Sequence, residues 1–196
     1  TLVALVNFFL IYLAGIKLIQ SRGIKNKFSR KVFRNRVLKE SDKGYFYVDP
    51  MPYTEELNHY YSSVYWDNRS KKDFCMVPRD LIHWCLLEKY IGEFIKSDKR
   101  TILNFGAGHS GISHIFWIQG HNVVNVESSD IQHFYTERWS HYRQIQEVPS
   151  SSADIIYGSH SLEHVQNIER FETEVKRVLK PGGYVFWEVP NAEYPK

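Results

Sequence analysis

Three glycines and one acid carry the clearest chemical signal in this sequence. Gly106, Gly108 and Gly111 follow an apolar run that starts at Ile102, and Glu127 comes about twenty residues after the first glycine. Glycines let the backbone turn sharply and bring its N–H groups close to a ligand, because no side chain intrudes. A carboxylate at the end of the next strand can accept hydrogen bonds from both hydroxyls of a ribose. The spacing therefore predicts a site for a cofactor that contains a nucleoside.

A strand, a helix and a second strand are predicted to position these residues. The first strand contains the apolar residues Ile102, Leu103 and Phe105. Apolar residues then recur at helical spacing and in a second strand: Ile112, Ile115, Phe116 and Ile118 in the helix, and Val123, Val124 and Val126 in the strand. Gly120 stands where a residue in the left-handed conformation would end the helix. This order predicts that the helix begins at the glycine loop and that Glu127 emerges at the carboxyl end of the second strand.

The glycine pattern alone leaves three interpretations open. It fits a glycine-rich turn that binds nothing, a site for a dinucleotide such as NAD, and a site for S-adenosylmethionine. The strand, helix, strand and acid in this order favour a cofactor over an empty turn. They do not separate the two cofactors.

The second half of the chain resembles the class I S-adenosylmethionine-dependent methyltransferases. Asp154 stands where that family opens its fourth strand, a Leu162-Glu163-His164 stretch follows, and a Lys180-Pro-Gly-Gly183 turn leads into a fifth strand. The resemblance covers residues 98 to 191. It implies an α/β fold with a Rossmann-like, mostly parallel sheet and helices on both faces, and S-adenosylmethionine rather than NAD as the cofactor. Between the fourth and fifth strands the residues predict a helix from Ile168 to Leu179, with Asn167 as its N-cap.

The resemblance and the glycine loop together imply a set of site residues. Those predicted to bind the cofactor are Asn104, Gly106, Ala107, Gly108, Gly111, Glu127, Ser128, Ser159 and Tyr65. His160 and His164 are the candidate catalytic bases, because neutral imidazole titrates near neutral pH. His160 is preferred, since the Leu-Glu-His setting of His164 recurs in the family whatever the substrate. No metal site is predicted.

Three features depart from the family pattern. Asn104 stands where the family usually carries an acid that helps to hold the amino group of the cofactor. The third strand has a weak signal, and Tyr142 to Ile145 is the segment that fits it best. The chain ends at Lys196, just after the fifth strand, so the two C-terminal strands of the family are missing and the sequence represents either a truncated product or an abbreviated fold.

Residues 1–43 combine an apolar segment with a basic arm. Leu2 to Ile16 is apolar apart from Asn7 and Gly15, and residues 17 to 43 hold ten of the 25 Lys and Arg but two of the 22 Asp and Glu. This pairing is typical of contact with an anionic membrane surface. A helix packed on the domain and a basic arm that binds nucleic acid are the alternatives.

Residues 44–77 are predicted to form an aromatic lid, and residues 78–196 the cofactor-binding domain. Eight aromatic residues fall between Gly44 and Trp66, and Tyr60, Tyr61, Tyr65 and Trp66 are expected to face inward. A helix is predicted after Pro78. Cys75 and Cys85 lack the spacing of a zinc site and are expected to be buried thiols, which indicates a reducing, cytoplasmic location.

These features predict methyl transfer from S-adenosylmethionine to a small-molecule or sugar-containing acceptor. The aromatic lid and the lack of a separate nucleic-acid-binding module favour such an acceptor. An RNA methyltransferase that uses the basic arm, a catalytically silent cofactor-binding scaffold and an NAD-dependent oxidoreductase are the alternatives. The oligomeric state stays open.

Overall fold

The computed structural model describes residues 36–40, 42, 46–60, 78–109, 111–129 and 136–189. These residues belong to two compact units, one formed by residues 1–69 and 189–196 and the other by residues 70–188. The apolar segment, Tyr61, Tyr65, Trp66 and Cys75 lie outside the described residues. In the part of the chain that is described, no helix is both long and apolar enough to cross a membrane.

The first unit contains a small antiparallel hairpin and a short helix. Strand β1 (Val37–Glu40) pairs with β2 (Phe46–Asp49), and helix α1 (Thr54–His59) follows. Arg36 ties them together, because its Nη2 lies 2.7 Å from Glu56 Oε2 and its Nε donates to Pro50 O at 3.0 Å. Of the four aromatic residues expected to face inward, Tyr60 lies among the described residues, and it is half-buried directly after α1.

The second unit is a five-stranded parallel sheet flanked by helices, as the sequence predicts. The strands are β3 (Thr101–Phe105), β4 (Asn122–Val126), β5 (Ser140–Tyr142), β6 (Ala153–Ser159) and β7 (Leu179–Glu188). The helices are α2 (Pro78–Ser97), α3 (Gly111–Ile118) and α4 (Ile168–Val178). The strand order is β5-β4-β3-β6-β7, so the chain reverses direction across the sheet between β3 and β6. In such sheets ligands bind outside the carboxyl ends of the strands at this point of reversal.

Alternation along the strands supplies two apolar faces. On one face Tyr157 of β6 packs against Phe116 of α3 and Phe186 of β7, and Trp84 of α2 joins this cluster through Phe116. On the other face the aromatic rings of α4, β3 and β7 meet: Phe171, Phe105 and Trp187. Because both faces are covered, the strands read as nearly continuous apolar runs in the sequence.

Local signals place the helix ends. Asn167 caps α4, since its Oδ1 accepts a hydrogen bond from Arg170 N at 2.8 Å. Gly120 has φ +91° just after α3, which is the left-handed conformation predicted for it. Helix α2 is regular except at Ile91, where φ is −133° and the helix kinks.

Three predictions about these elements are wrong in detail. The third strand is Ser140–Tyr142 and not Tyr142 to Ile145, because β4 ends at Val126, the partner of Tyr142, and leaves nothing for a longer strand to pair with. The helix predicted to reach Leu179 ends at Val178, and β7 starts at once, with residues 180–183 as a bulge between its two stretches of pairing. Cys85 is exposed, because α2 buries a stripe on its other side.

Candidate active site

The glycine loop is fastened to the end of β4. Gly106 has φ +67° and Gly108 has φ +52°, conformations that favour glycine. A Cβ at Gly106 would lie 2.4 Å from Ser161 Cβ, so the close approach of the loop to the segment after β6 also requires glycine. Gly106 N and Ala107 N both donate to Val126 O, at 2.8 and 3.1 Å. These two N–H groups therefore hold the loop against β4, and the approach of the loop backbone to a ligand stays a prediction.

Glu127 closes the same loop from the opposite side. Its Oε2 accepts a hydrogen bond from Gly108 N at 2.9 Å, and its Oε1 accepts from Ser129 N at 2.9 Å and from Ser129 Oγ at 2.7 Å. The residue is 8% exposed. The structure thus brings Glu127 and the glycine loop together at the carboxyl ends of β3 and β4, the arrangement that the spacing predicts.

Asn104 is engaged inside the domain. Its Nδ2 donates to Ser113 Oγ at 2.9 Å, and that hydroxyl donates to Asn125 Oδ1 at 2.7 Å. All three residues are buried. The amide nitrogen of Asn104 therefore links β3 to α3 and β4, and a direct contact between Asn104 and the cofactor stays a prediction.

Gly111, Ser128 and Ser159, three more of the predicted cofactor residues, lie along the same edge of the sheet. Gly111 is the first residue of α3, and Ser128 is exposed next to Glu127, with its carbonyl accepting from Arg143 Nη1 at 3.1 Å. Ser159 is the last residue of β6, and its Oγ donates to Glu188 Oε2 at 2.5 Å. Tyr65 lies outside the described residues.

The two predicted bases follow β6 and share one carboxylate. His160 Nδ1 and His164 Nε2 each lie 3.7 Å from Glu163 Oε1, while His160 Nε2 lies 3.4 Å from Glu188 Oε2. His160 has φ +51°, an uncommon conformation for a residue with a side chain, and its N–H donates to Glu188 O at 3.0 Å. Desolvation lowers the pKa of His164, against the opposing effect of the Glu163 charge. The turn after β6 thus holds two imidazoles around one buried acid.

Glu188, His83 and Tyr157 belong to the site although the sequence did not single them out. His83 Nδ1 lies 2.6 Å from Tyr157 Oη, and His83 Nε2 lies 3.2 Å from Glu188 Oε1. Burial would raise the pKa of Glu188, but the hydrogen bonds from His83 and Ser159 and the nearby histidines lower it to about 2. One signal was readable: Glu188 is an acid at the end of an apolar strand, at the edge of the sheet where ligands bind.

Comparison with known proteins identifies the family. Residues 77–196 match the family model described as a methyltransferase domain. The chain belongs to this family. Its fold and its family confirm the class I S-adenosylmethionine-dependent methyltransferase predicted from the sequence, and with it S-adenosylmethionine as the cofactor.

The solved structures to which this chain is similar share little sequence with it. A putative methyltransferase from an antibiotic biosynthesis pathway of Anabaena variabilis is 21% identical, with a TM-score of 0.46 over 53% of this chain and 44% of that chain. An S-adenosylmethionine-dependent methyltransferase from Mesorhizobium loti is 20% identical, with a TM-score of 0.44 over 53% and 51%. A putative sarcosine dimethylglycine methyltransferase from Galdieria sulphuraria is 15% identical, with a TM-score of 0.48 over 59% and 54%. The chain thus spans about half the length of these proteins, and a search of curated proteins finds no match.

The polar atoms of the site fit the cofactor of the family. Among the described residues, Ser161 Oγ and Glu163 Oε2 are buried without a hydrogen-bond partner. Both lie in the segment after β6, and Ser161 approaches the glycine loop. Buried polar atoms without partners are costly, and a ligand with ammonium or hydroxyl groups would satisfy them. These two oxygens and the Glu127 carboxylate are acceptors of the kind that a ribose and an amino group need.

A cleft of about 590 Å³ lies elsewhere on the domain. It is lined by the amino-terminal ends of β3, β4 and β5 and by Trp117 and Arg138. None of the predicted site residues lines it. The cleft is therefore at the wrong edge of the sheet for the chemistry of this family.

Proposed function

We propose that this chain transfers the methyl group of S-adenosylmethionine to a small-molecule acceptor, including one that contains a sugar, with His160 as the proton acceptor. The observation that carries the proposal is the placement of His160 between two carboxylates at the same sheet edge as Glu127 and the glycine loop. Positioning the acceptor and removing its proton are the two tasks that such a transfer leaves to the protein.

Glu127, the glycine loop and Ser161 are the groups that would hold the cofactor. Glu127 supplies a carboxylate to the ribose hydroxyls, and the bond that it now accepts from Gly108 N would be shared or exchanged. Ser161 Oγ and Glu163 Oε2 supply acceptors for an amino group. When bound, S-adenosylmethionine supplies an electrophilic methyl group.

His160 is suited to accept a proton at Nδ1. Its Nε2 lies near Glu188 Oε2, so the tautomer with the proton on Nε2 is favoured by this carboxylate. Nδ1 is then unprotonated, and its distance of 3.7 Å to Glu163 Oε1 leaves it without a close hydrogen bond to that carboxylate. About 40% of the side chain is exposed, which lets an acceptor hydroxyl or amine approach it.

The nature of the acceptor rests on composition. Eight aromatic residues between Gly44 and Trp66 support a lid over a small, partly apolar acceptor. The basic residues between 17 and 43 support the alternative of an RNA acceptor. A comparison of methylation of small hydroxylated or amine-bearing compounds with methylation of RNA distinguishes the two.

Thermal unfolding with added ligands tests the cofactor first. S-adenosylhomocysteine at a hundredfold excess over its dissociation constant stabilises a native state that binds it by about 2.7 kcal/mol, whereas NAD should give no shift. Incubation with methyl-labelled S-adenosylmethionine and a panel of acceptors then tests turnover. We expect His160→Ala to abolish labelling of the acceptor while S-adenosylhomocysteine still binds. Full turnover by this variant would remove His160 from the mechanism, and binding without turnover on any acceptor would favour a silent scaffold.

A further inference from the structure

A buried chain of polar groups runs from the centre of the sheet to the candidate base. Tyr157 Oη and His83 Nδ1 are 2.6 Å apart, and Glu188 Oε1 lies 3.2 Å from the other nitrogen of the same imidazole. His83 and Tyr157 are 3% and 2% exposed, so the first link is shielded from water. The second oxygen of Glu188 accepts from Ser159 Oγ and lies 3.4 Å from His160 Nε2. Helix α2, strand β6 and strand β7 thus meet at one carboxylate.

We propose that Glu188 is the positioning residue of His160, and that Tyr157 and His83 fix Glu188 for this task. The inference rests on the proposed function, because it assigns the groups that set the orientation and the tautomer of the proposed base. Glu188 acts through His160 and has no assigned contact with the acceptor.

The directions of the hydrogen bonds follow from the chemistry of the groups. An ionised carboxylate can only accept hydrogen bonds, so His83 carries its proton on Nε2 and donates to Glu188 Oε1. Nδ1 of the neutral imidazole then accepts a hydrogen bond from the Tyr157 hydroxyl, whose pKa is raised by burial. Tyr157 therefore donates a hydrogen bond to His83, and His83 donates one to Glu188.

A carboxylate held by both oxygens has little freedom to rotate. Glu188 Oε1 is bound by His83, and Oε2 is bound by Ser159, which leaves the remaining lone pair of Oε2 for His160. With its pKa at about 2, Glu188 is ionised throughout the neutral range. A fixed negative charge on one side of an imidazole favours the tautomer that points N–H at it.

Other charged groups face these residues. Asp80 and Arg79 of α2 act on Tyr157 with opposite signs, and Glu163 and His164 act on His160 from the turn after β6. Glu163 is the competitor of Glu188, because it approaches Nδ1 of the same ring. If Glu163 and not Glu188 sets the tautomer, the proton of His160 sits on Nδ1.

Nitrogen-15 NMR of the histidine rings tests the proposal on the full chain without an acceptor. We expect His160 to carry its proton on Nε2 in the wild-type protein and to lose this preference in Glu188→Gln. Tyr157→Phe keeps the packed ring but removes the O–H, so His83 should lose its fixed tautomer, and the pKa of Glu188, which the hydrogen bond from His83 lowers, should rise. A melting curve shows whether Glu188→Gln folds. If it does not, Tyr157→Phe alone tests the proposal.

Kinetics separate positioning from a structural role. In Glu188→Gln we expect kcat to fall by about 10- to 100-fold, with KM and the dissociation constant of S-adenosylhomocysteine within about twofold of the wild type. Glu174→Gln is the matched control, because Glu174 pairs with Arg177 on α4 away from the site and its loss should change neither kcat nor the tautomer. Glu188→Asp should keep part of the kcat that Glu188→Gln loses.

The outcomes are distinct. A His160 tautomer that is unchanged in Glu188→Gln would overturn the proposal, as would a proton on Nδ1 in the wild type. An unchanged His83 tautomer in Tyr157→Phe would overturn the part that Tyr157 and His83 are given in it. A tautomer that responds as expected in a protein that methylates nothing would uphold the geometry of the chain and refute the proposed function instead.

Discussion

Glu127→Gln separates two roles of the carboxylate at the glycine loop. The substitution keeps the size of the side chain but leaves one acceptor oxygen in place of two. If that oxygen keeps the bonds from Ser129, at 2.9 and 2.7 Å, the new amide faces the Gly108 N–H, and two donors oppose each other. Loss of one hydrogen bond to a charged group costs about 1.5–3 kcal/mol of stability. Solvent does not screen this bond much, because Glu127 is 8% exposed.

The magnitude translates into a melting temperature. For a chain of this size each kcal/mol shifts the midpoint by about 2–4 °C, so we expect Glu127→Gln to lower it by about 3–12 °C without any ligand. Glu174→Gln, which breaks a partly exposed pair on α4, should lower it by no more than about 2 °C.

Binding gives the second measurement. Titration calorimetry should show that Glu127→Gln weakens S-adenosylhomocysteine by about 1–3 kcal/mol, which is roughly 5- to 150-fold in the dissociation constant. A lower midpoint with unchanged affinity would mean that Glu127 only supports the loop. An unchanged midpoint would refute the hydrogen bonds that the structure assigns to this carboxylate.

Three further predictions concern other parts of the chain. Gly158→Ala should destabilise the fold by about 1–3 kcal/mol, since its Cβ would lie 2.0 Å from the Trp187 ring. Gly92→Ala is the control, because open space surrounds Gly92 in its helix, and it should be neutral or stabilising by up to about 1 kcal/mol. Chemical denaturation measures the free energy of unfolding of both variants. The folded-state pKa of Glu188 is depressed from 4.5 to about 2, so its contribution is present above pH 4.5 and is lost as the pH falls toward 2. Allowing for its partial exposure, Glu188→Gln should remove about 1–2 kcal/mol of this pH dependence in acid-unfolding curves. A chain that starts at Gly44 lacks Arg36 and β1 of the hairpin, but its second unit should stay folded and bind cofactor while the chain loses attachment to anionic vesicles in flotation. Equal flotation of both chains would rule out an anchor in residues 1–43.

The strongest sequence signals are those in which one residue type meets one geometric need. Gly106, Gly108 and Gly120 all have positive φ, where side chains are strained, so their positions were readable from the sequence. Asn167 was readable as a cap because its side chain competes well for a free backbone N–H. These residues fix the ends of elements, and the order of the elements then fixed the sheet.

Contacts between distant segments left no such signal. His83 and Tyr157 form a hydrogen bond although 74 residues separate them in the sequence. The residues next to each of them in the sequence do not indicate that the two side chains pair inside the core. The short β5 was misplaced for a related reason, since its length is set by the end of β4 and not by its own residues. Cys85 was misplaced because the apolar residues around it, including the exposed Leu81, occur on both sides of α2.

Two hydrogen bonds, from Asn104 to Ser113 and from Ser113 to Asn125, bear on the order of folding. They span 9 and 12 residues, whereas Asp154 binds Thr101 N across 53 residues and His83 meets Tyr157 across 74. Short loops close at a lower cost in chain entropy than long ones. The unit of β3, α3 and β4, with its glycine loop, therefore has the means to assemble before β6 and β7 join the sheet. The half that carries the glycine loop and Glu127 forms from neighbouring residues, and the half that carries Ser161, Glu163 and His160 is added to it, so the site for the cofactor is complete only after the second half is in place.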